Sequence, residues 1–262
     1  SDDLAQKLNF LSRSQTWLPL FTLLAGALVG LADDVMQVIG RGKYVAGGMR
    51  LSRRIALITL IGLAGAYWFY FKLGVDSVFV PFVGSLYLGW LFVPFFILVM
   101  LATWSGGVID GLDGLSGGVF AAIYGAYAGI AFAQNQIDLA AFCGVVIGAT
   151  LAFLWFNIPP ARFYMGETGI MALTATLTVV AFLTDAVVVL PIIALPLVLA
   201  SGSVIIQLFS KRFFGKKVFL IAPIHHHFEA LGWPAYKVTM RFWIIGFVFA
   251  TVGMMIALIG RV

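Results

Sequence analysis

Between Trp104 and Gly118 the chain reads WSGGVIDGLDGLSGG, with two carboxylates, Asp110 and Asp113, among six glycines and no lysine or arginine. A strongly apolar run lies on either side. Carboxylates this close to hydrocarbon and lacking a local cation are costly unless they face an aqueous pocket and meet a metal or a charged ligand. A solvated turn rich in Gly and Asp is the plainer alternative, and the stretch taken alone leaves both readings open. Three other places carry groups that could work with it. Asp33 and Asp34 are adjacent, and two neighbouring carboxylates at the C-terminal end of a helix oppose its dipole. Such a pair is better explained by a cation between them and a ligand. A hard oxygen donor set with no thiolate suits Mg²⁺ rather than zinc, and Mg²⁺ usually arrives together with substrate phosphates. Glu167, in PPARFYMGETG, falls near a helix start, where backbone N–H groups attract phosphate; as a first-turn acid it also complements the dipole. His225, His226 and His227 are consecutive, so they cannot all ligate one metal. Imidazoles beside phosphate oxygens, or ordering a loop, fit them better, with a solvated loop triplet as the alternative.

The elements that must position these groups are membrane helices. The 262 residues are 62% hydrophobic and 10% charged, with a mean hydropathy of +1.05, whereas a soluble domain carries about 25% charged residues. The fold class expected is all-α, a polytopic bundle forming one integral-membrane domain over residues 1–262. Apolar runs mark eight spans at 17–39, 55–71, 86–103, 117–133, 139–158, 169–184, 187–209 and 242–260, most near the ~20 residues a bilayer requires. Pro94, Pro191 and Pro196 should kink or break their helices. Cys143 lies inside an apolar run, so there is no disulfide framework. The polar start SDDLAQKLNFLSRSQ has no signal-peptide pattern, and a start at Ser1 suggests that an N-terminal portion precedes it.

Alternating the loops puts 40–54, 104–116, 159–168 and 210–241 on one face. Twelve of the sixteen Lys and Arg residues lie there, which makes that face cytoplasmic. Membrane placement accounts for the formal charge of +5 without a nucleic-acid partner. Asp33, Asp34, Asp110, Asp113, Glu167 and the histidines all sort to that same face, which predicts one cytoplasmic cluster assembled from separate loops.

APIHHHFEALGW at 222–233, followed by KVTMRFWII at 237–245, closely resembles the bacterial phospho-N-acetylmuramoyl-pentapeptide transferase family of the polyprenyl-phosphate N-acetylhexosamine-1-phosphate transferase superfamily. GLADDVMQ at 30–37, DGLDGLSGG at 110–118 and FYMGETG at 163–169 resemble its other cytoplasmic motifs, in order. The family's first two spans have no counterpart here. The resemblance implies transfer of phospho-MurNAc-pentapeptide from UDP-MurNAc-pentapeptide to undecaprenyl phosphate, forming lipid I, releasing UMP and requiring Mg²⁺. Membrane lipids surround such an enzyme in the bacterial inner membrane, and a second copy of the chain is a candidate partner. Carried over by position, Asp33 is the base or phosphate-positioning acid, Asp34 its partner near the metal, and Glu167 a metal ligand. Asp110 takes a catalytic place, Asp113 and Gln37 line the substrate region, and Tyr164 replaces an aromatic that stacks on uracil. His225, His226 and His227 line the mouth of the site, with His226 the catalytic candidate. The chain departs from the pattern at Gln37 (usually Lys), Gly107 (usually Asn) and Glu167 (usually Asp), with Lys43 or Arg50 as candidates to restore the lost positive charge.

Two other classes share parts of this pattern. A transferase using UDP-GlcNAc or another nucleotide sugar would share the carboxylates, and a membrane scaffold or transporter would need no such site. The division of basic residues makes a direct prediction. Single cysteines placed in 40–54 and in 210–241 of a Cys143-free variant should be shielded from an impermeant thiol reagent in intact cells, and labelling of both from outside would invert the topology.

Overall fold

The computed structural model of the chain describes residues 14–40 and 48–261. Helix α1 is Ser14–Val38 and α2 is Leu51–Tyr67, prolonged by a π-helical turn Trp68–Lys72. Strands β1 (Ser77–Val80) and β2 (Gly84–Tyr87) then form an antiparallel hairpin with Ser77 opposite Tyr87. Helix α3 (Phe92–Ser105) lies between two 3₁₀ turns, Gly89–Leu91 and Gly106–Ile109. There follow α4 (Leu115–Ala133), α5 (Ile137–Asn157), α6 (Gly166–Leu183), the single turn α7 (Leu190–Ile193), α8 (Leu195–Phe214), the short α9 (Ile224–Ala230) and α10 (Ala235–Ile259).

Among the described residues eight helices are long and apolar enough to cross a bilayer, namely α1 to α6, α8 and α10 with their extensions. The expected all-α membrane bundle is therefore present. Its boundaries shift for identifiable reasons. α2 and α10 start earlier than the apolar runs suggest because their first turns carry Arg53, Arg54 and Lys237, and apolarity alone misses charged helix ends. α8 starts later than 187 because Pro191 and Pro196 each begin a helix, α7 and α8, where the missing N–H has no intrahelical partner to lose. Pro94 does not kink its span as expected: α3 starts at Phe92, so the proline sits harmlessly in the first turn. The hairpin at 77–87 was hidden in a stretch that reads as a loop running into the third span.

α4 and α6 are the most enclosed spans. α1 runs antiparallel along α6, and two glycines set how closely. A Cβ on Gly26 would lie 2.6 Å from the Met171 carbonyl oxygen, and one on Gly30 would collide with the Glu167 carbonyl. Small residues that let backbones approach are the usual means of helix association in lipid, where apolar surface gains little from leaving hydrocarbon. The approach carries a functional consequence, because Asp33 and Asp34 lie one turn beyond Gly30 and are thereby set over the first turn of α6. On the other side of the core, the Trp243 indole N–H of α10 donates to the Gly114 carbonyl at 3.0 Å and fills the space beside Gly118.

The glycine contact predicts a contrast. Gly30→Ala must push α1 off α6 and should lower the thermal midpoint of the purified protein by an amount corresponding to roughly 1–3 kcal/mol. Gly144→Ala, which meets nothing within 4 Å, should not lower it. Equal midpoints for wild type and Gly30→Ala would show that the approach is not a packing constraint.

Candidate active site

Three of the four loops that sort to one face bring their helix ends together at one end of the bundle. The end of α1, the first turn of α2, the turn after α3 and the start of α6, with the middle of α8, enclose a cavity of about 470 Å³, whose polar lining includes Asp34, Gln37, Arg54, Asp110 and Glu167.

The central contact is the Arg54 guanidinium. Its Nη2 lies 2.5 Å from Asp33 Oδ2, and its Nη1 lies 2.5 Å from Glu167 Oε1. Asp33 is fully buried. Its Oδ1 also accepts the Met49 N–H at 2.5 Å, and its Oδ2 accepts from the Gln37 amide at 2.9 Å. Asp34 caps a helix other than its own. It accepts the backbone N–H groups of Glu167 and Thr168 at 3.0 and 2.9 Å and the Thr168 hydroxyl at 2.6 Å, so its charge meets the positive end of the α6 dipole. This capping requires a glycine at 166, which has φ +63° and whose Cβ, if present, would lie 2.8 Å from Asp34 Oδ2.

Asp110 follows the 3₁₀ turn and accepts the Ser116 hydroxyl on Oδ1 at 2.6 Å. Burial pushes its pKa up, the Asp34 charge adds to that, and the Ser116 bond partly offsets both. Asp113 ties loops together instead of lining the cavity. Its Oδ2 accepts the Ala161 N–H at 3.0 Å and its carbonyl accepts from Thr239 at 3.1 Å. Asn157 completes this junction, accepting the Gly114 N–H at 3.0 Å and donating to the Phe163 carbonyl at 2.9 Å.

The histidines divide their work. The His225 ring is fully buried and neither of its nitrogens has a hydrogen-bond partner. It lies over the residue after Asp110, where a Cβ on Gly111 would be 2.6 Å from His225 Nε2 and 2.7 Å from His226 Nε2. Burial, with His226 adding to it, pushes the His225 pKa down to about 3, so the ring is neutral at physiological pH. His226 Nδ1 pairs with Glu229 at 2.6 Å, and His227 Nδ1 accepts the Leu220 N–H at 3.2 Å. Loop ordering, one of the three readings of the triplet, is what His227 does.

The expected residues thus fall into three groups. Asp34, Gln37, Asp110 and Glu167 share the cavity, with Asp33 directly behind it. His225 and His226 join them through Gly111. Asp113 and His227 shape loops, and Tyr164 is 72% exposed and does not line the cavity. Sequence reasoning missed Arg54, Ser116, Thr168 and Asn157. For the compensating cation it pointed to Lys43, which lies outside the described residues, or to Arg50, which precedes α2 and does not line the cavity. Arg54 takes that place, one turn further along the same basic run.

Asp33, Asp34, Asp110 and Glu167 against Arg54 leave a surplus of three formal negative charges. No set of three or more His, Cys, Asp or Glu side chains able to hold a metal ion occurs among the described residues. Glu167 Oε2 takes no hydrogen bond from them, and Asp34 Oδ1 accepts only one. A donor set of two carboxylates with excess negative charge suits Mg²⁺, which commonly binds through one or two carboxylates and completes its shell with water and substrate phosphate.

Helices that span a bilayer around an acidic, arginine-braced cavity define a polytopic membrane protein with a polar site at one end. Residues 16–185 match the family model described as Glycosyl transferase family 4. The chain is 35% identical over 263 residues to a phospho-N-acetylmuramoyl-pentapeptide-transferase of Pelagibacter ubique, covering 93% of this chain and 73% of that relative. A Geobacillus relative of the same name is 38% identical over 247 residues, covering 92% and 74%, and one from Bartonella quintana is 37% identical over 262 residues, covering 93% and 72%. The chain belongs to glycosyl transferase family 4 and, with these relatives, to its phospho-N-acetylmuramoyl-pentapeptide-transferases.

The Arg54 fork predicts a large stability effect. Arg54→Met strands the buried Asp33 charge and should destabilise the protein by about 3–5 kcal/mol, read as a lowered thermal midpoint. Adding Asp33→Asn should recover part of the loss, and a double variant no more stable than Arg54→Met would show that the pair is not coupled in this way.

Proposed function

We propose that this chain transfers phospho-MurNAc-pentapeptide from UDP-MurNAc-pentapeptide to undecaprenyl phosphate, forming lipid I and releasing UMP. The observation that carries the reading is the junction of two cavities. The acidic cavity shares Ser105, Ser201 and Ile205 with an apolar groove of about 740 Å³ that runs between α3 and the α7–α8 segment. A ligand with a phosphate head and a long apolar tail, such as undecaprenyl phosphate, would fit across both, and the relatives' name supports the phospho-MurNAc-pentapeptide as the group transferred.

In this reading the acceptor phosphate enters from the groove and the donor from the cytoplasm, the face to which the basic loops sort. An acceptor phosphate oxygen attacks the sugar-bearing phosphorus. A new P–O bond forms, and the bond to UMP breaks, with its electrons leaving on UMP. Arg54 offsets the charge of the phosphates. Asp110, with its raised pKa and an oxygen facing the cavity, takes the proton if the acceptor phosphate carries one. Asp33, expected as the base, is sequestered behind Arg54 and instead fixes the guanidinium in place. Glu167 and Asp34 would hold Mg²⁺, which supplies neutralisation of the diphosphate charge when bound. The neutral His225, buried over Gly111, holds the backbone beside Asp110 in place, and Tyr164, exposed outside the cavity, would stack on uracil.

The test is a transfer assay on the purified protein with UDP-MurNAc-pentapeptide, or UDP-GlcNAc in its place, and undecaprenyl phosphate, with and without Mg²⁺. Lipid I and UMP should form only with the muramoyl donor and Mg²⁺. Asp110→Asn should lower turnover by ~10²-fold or more at unchanged folded yield. Glu167→Asp, too short to keep Arg54 and still reach a metal, should raise the Mg²⁺ concentration required. Near-normal turnover in Asp110→Asn would remove it from the mechanism, and product from UDP-GlcNAc alone would replace the donor.

A further inference from the structure

The apolar groove has an end. It begins at Ser105 and Ser201 beside the acidic cavity, and its far lining is Val78 and Val80 of β1, Leu86 of β2 and Leu88 just after it. From Gly89 to Ser105 the 3₁₀ turn, at about 2 Å per residue, and α3, at about 1.5 Å per residue, together rise about 25 Å. An isoprene repeat of four backbone carbons extends on the order of 5 Å at ~1.5 Å per bond. The groove therefore has length for on the order of five repeats, far fewer than the eleven of an undecaprenyl tail.

The end is also fixed in place. The Phe79 N–H of β1 donates to Asp185 Oδ1 at 3.0 Å, just past the end of α6. Arg261, just past the end of α10, donates to the Thr184 and Asp185 carbonyls at 2.8 and 2.7 Å and stacks on the Phe79 ring at 4.7 Å. The Phe82 N–H donates to the Gly260 carbonyl at 3.0 Å. A two-stranded hairpin is marginal by itself, and here β1 and the turn after it are tied to the ends of core helices. Val78, Val80 and Leu86 line the groove from one face of the hairpin, while Phe79 on the other face packs against Arg261.

We propose that the β1–β2 hairpin is the end wall of the acceptor-tail groove, so that the protein reads only the phosphate-proximal isoprene units and turns the remaining tail sideways into the bilayer. The proposal rests on the acceptor reading above and adds a specificity element to it. Leu86, 53% exposed on the hairpin, and Leu98, midway along α3 and 62% exposed, become two marks on a ruler. Their exposure lets a larger ring be introduced without displacing buried core.

The experiment measures KM for farnesyl, heptaprenyl and undecaprenyl phosphate, with the farnesyl compound also titrated as a competitive inhibitor. Wild type should bind the two long acceptors alike and the short one several-fold more weakly. Leu86→Trp should raise KM for both long acceptors at least threefold and leave the farnesyl constant unchanged, which also certifies the variant as folded. Leu98→Trp, nearer the phosphate, should weaken all three. Equal effects of Leu86→Trp on every chain length, or none on any, would overturn the wall. Transfer to none of the three by wild type would instead overturn the acceptor reading.

Discussion

Everything at the acidic end of this protein depends on one guanidinium facing two carboxylates that come from different helices. Asp33 is completely buried, and an unpaired carboxylate in such a place is costly. Arg54 supplies the opposite charge from α2 and, with its second nitrogen, binds Glu167 on α6. A lysine at 54 would offer a compact point charge and not a planar fork with two donors held at fixed spacing. The three helices are thereby locked at their ends around a shared ion network, and the groups lining the cavity inherit their positions from it.

The network requires the backbones to be close before any charge can pair. Gly26 and Gly30 bring α1 against α6, and Gly166 opens the space into which Asp34 reaches. With α6 starting directly under Asp34, its free N–H groups are satisfied by a carboxylate from a neighbouring helix. That same carboxylate keeps a lone pair for a cation. Gly111 works in the same way for the histidines, giving His225 a buried seat over the backbone beside Asp110. Small residues thus do at this end what large apolar ones do in the core, where Phe69, Phe92, Phe96 and Phe182 pack ring against ring.

The spans were legible because hydropathy reports directly on what a bilayer demands of a helix, and the convergence of the acidic loops followed from counting spans. Asp34, Asp110 and Glu167, which line one cavity, were legible as candidates because charge beside hydrocarbon is conspicuous. Arg54 was not, since a basic residue at a helix start on the face richest in Lys and Arg is what topology alone already explains, and nothing local marks which of Arg50, Arg53 and Arg54 turns inward. Asp113 had the same signature as Asp110 yet is used in a loop junction. Whether a carboxylate faces a cavity or a neighbouring backbone depends on contacts more than forty residues away, such as Ala161. The hairpin was hidden because four-residue strands of mixed burial carry too short a period to stand out beside long apolar runs.

The three departures from the family pattern become coherent once these contacts are laid side by side. A side chain at 107 would run into Ile170 on α6, so Gly107 belongs with the close seating of the turn after α3 against that helix, and a larger residue would force them apart. Gln37 keeps the hydrogen bond to Asp33 that a lysine there could make, at 2.9 Å, without adding a second cation beside Arg54. Glu167 has the reach to meet Arg54 with one oxygen while the other stays free, a division that a shorter aspartate on the same backbone could not maintain. With Gln37 neutral, Arg54 on α2 is the cation of the network, and the longer Glu167 carboxylate reaches it. The cavity keeps its surplus of formal negative charge, which is the feature that the proposed cation would neutralise.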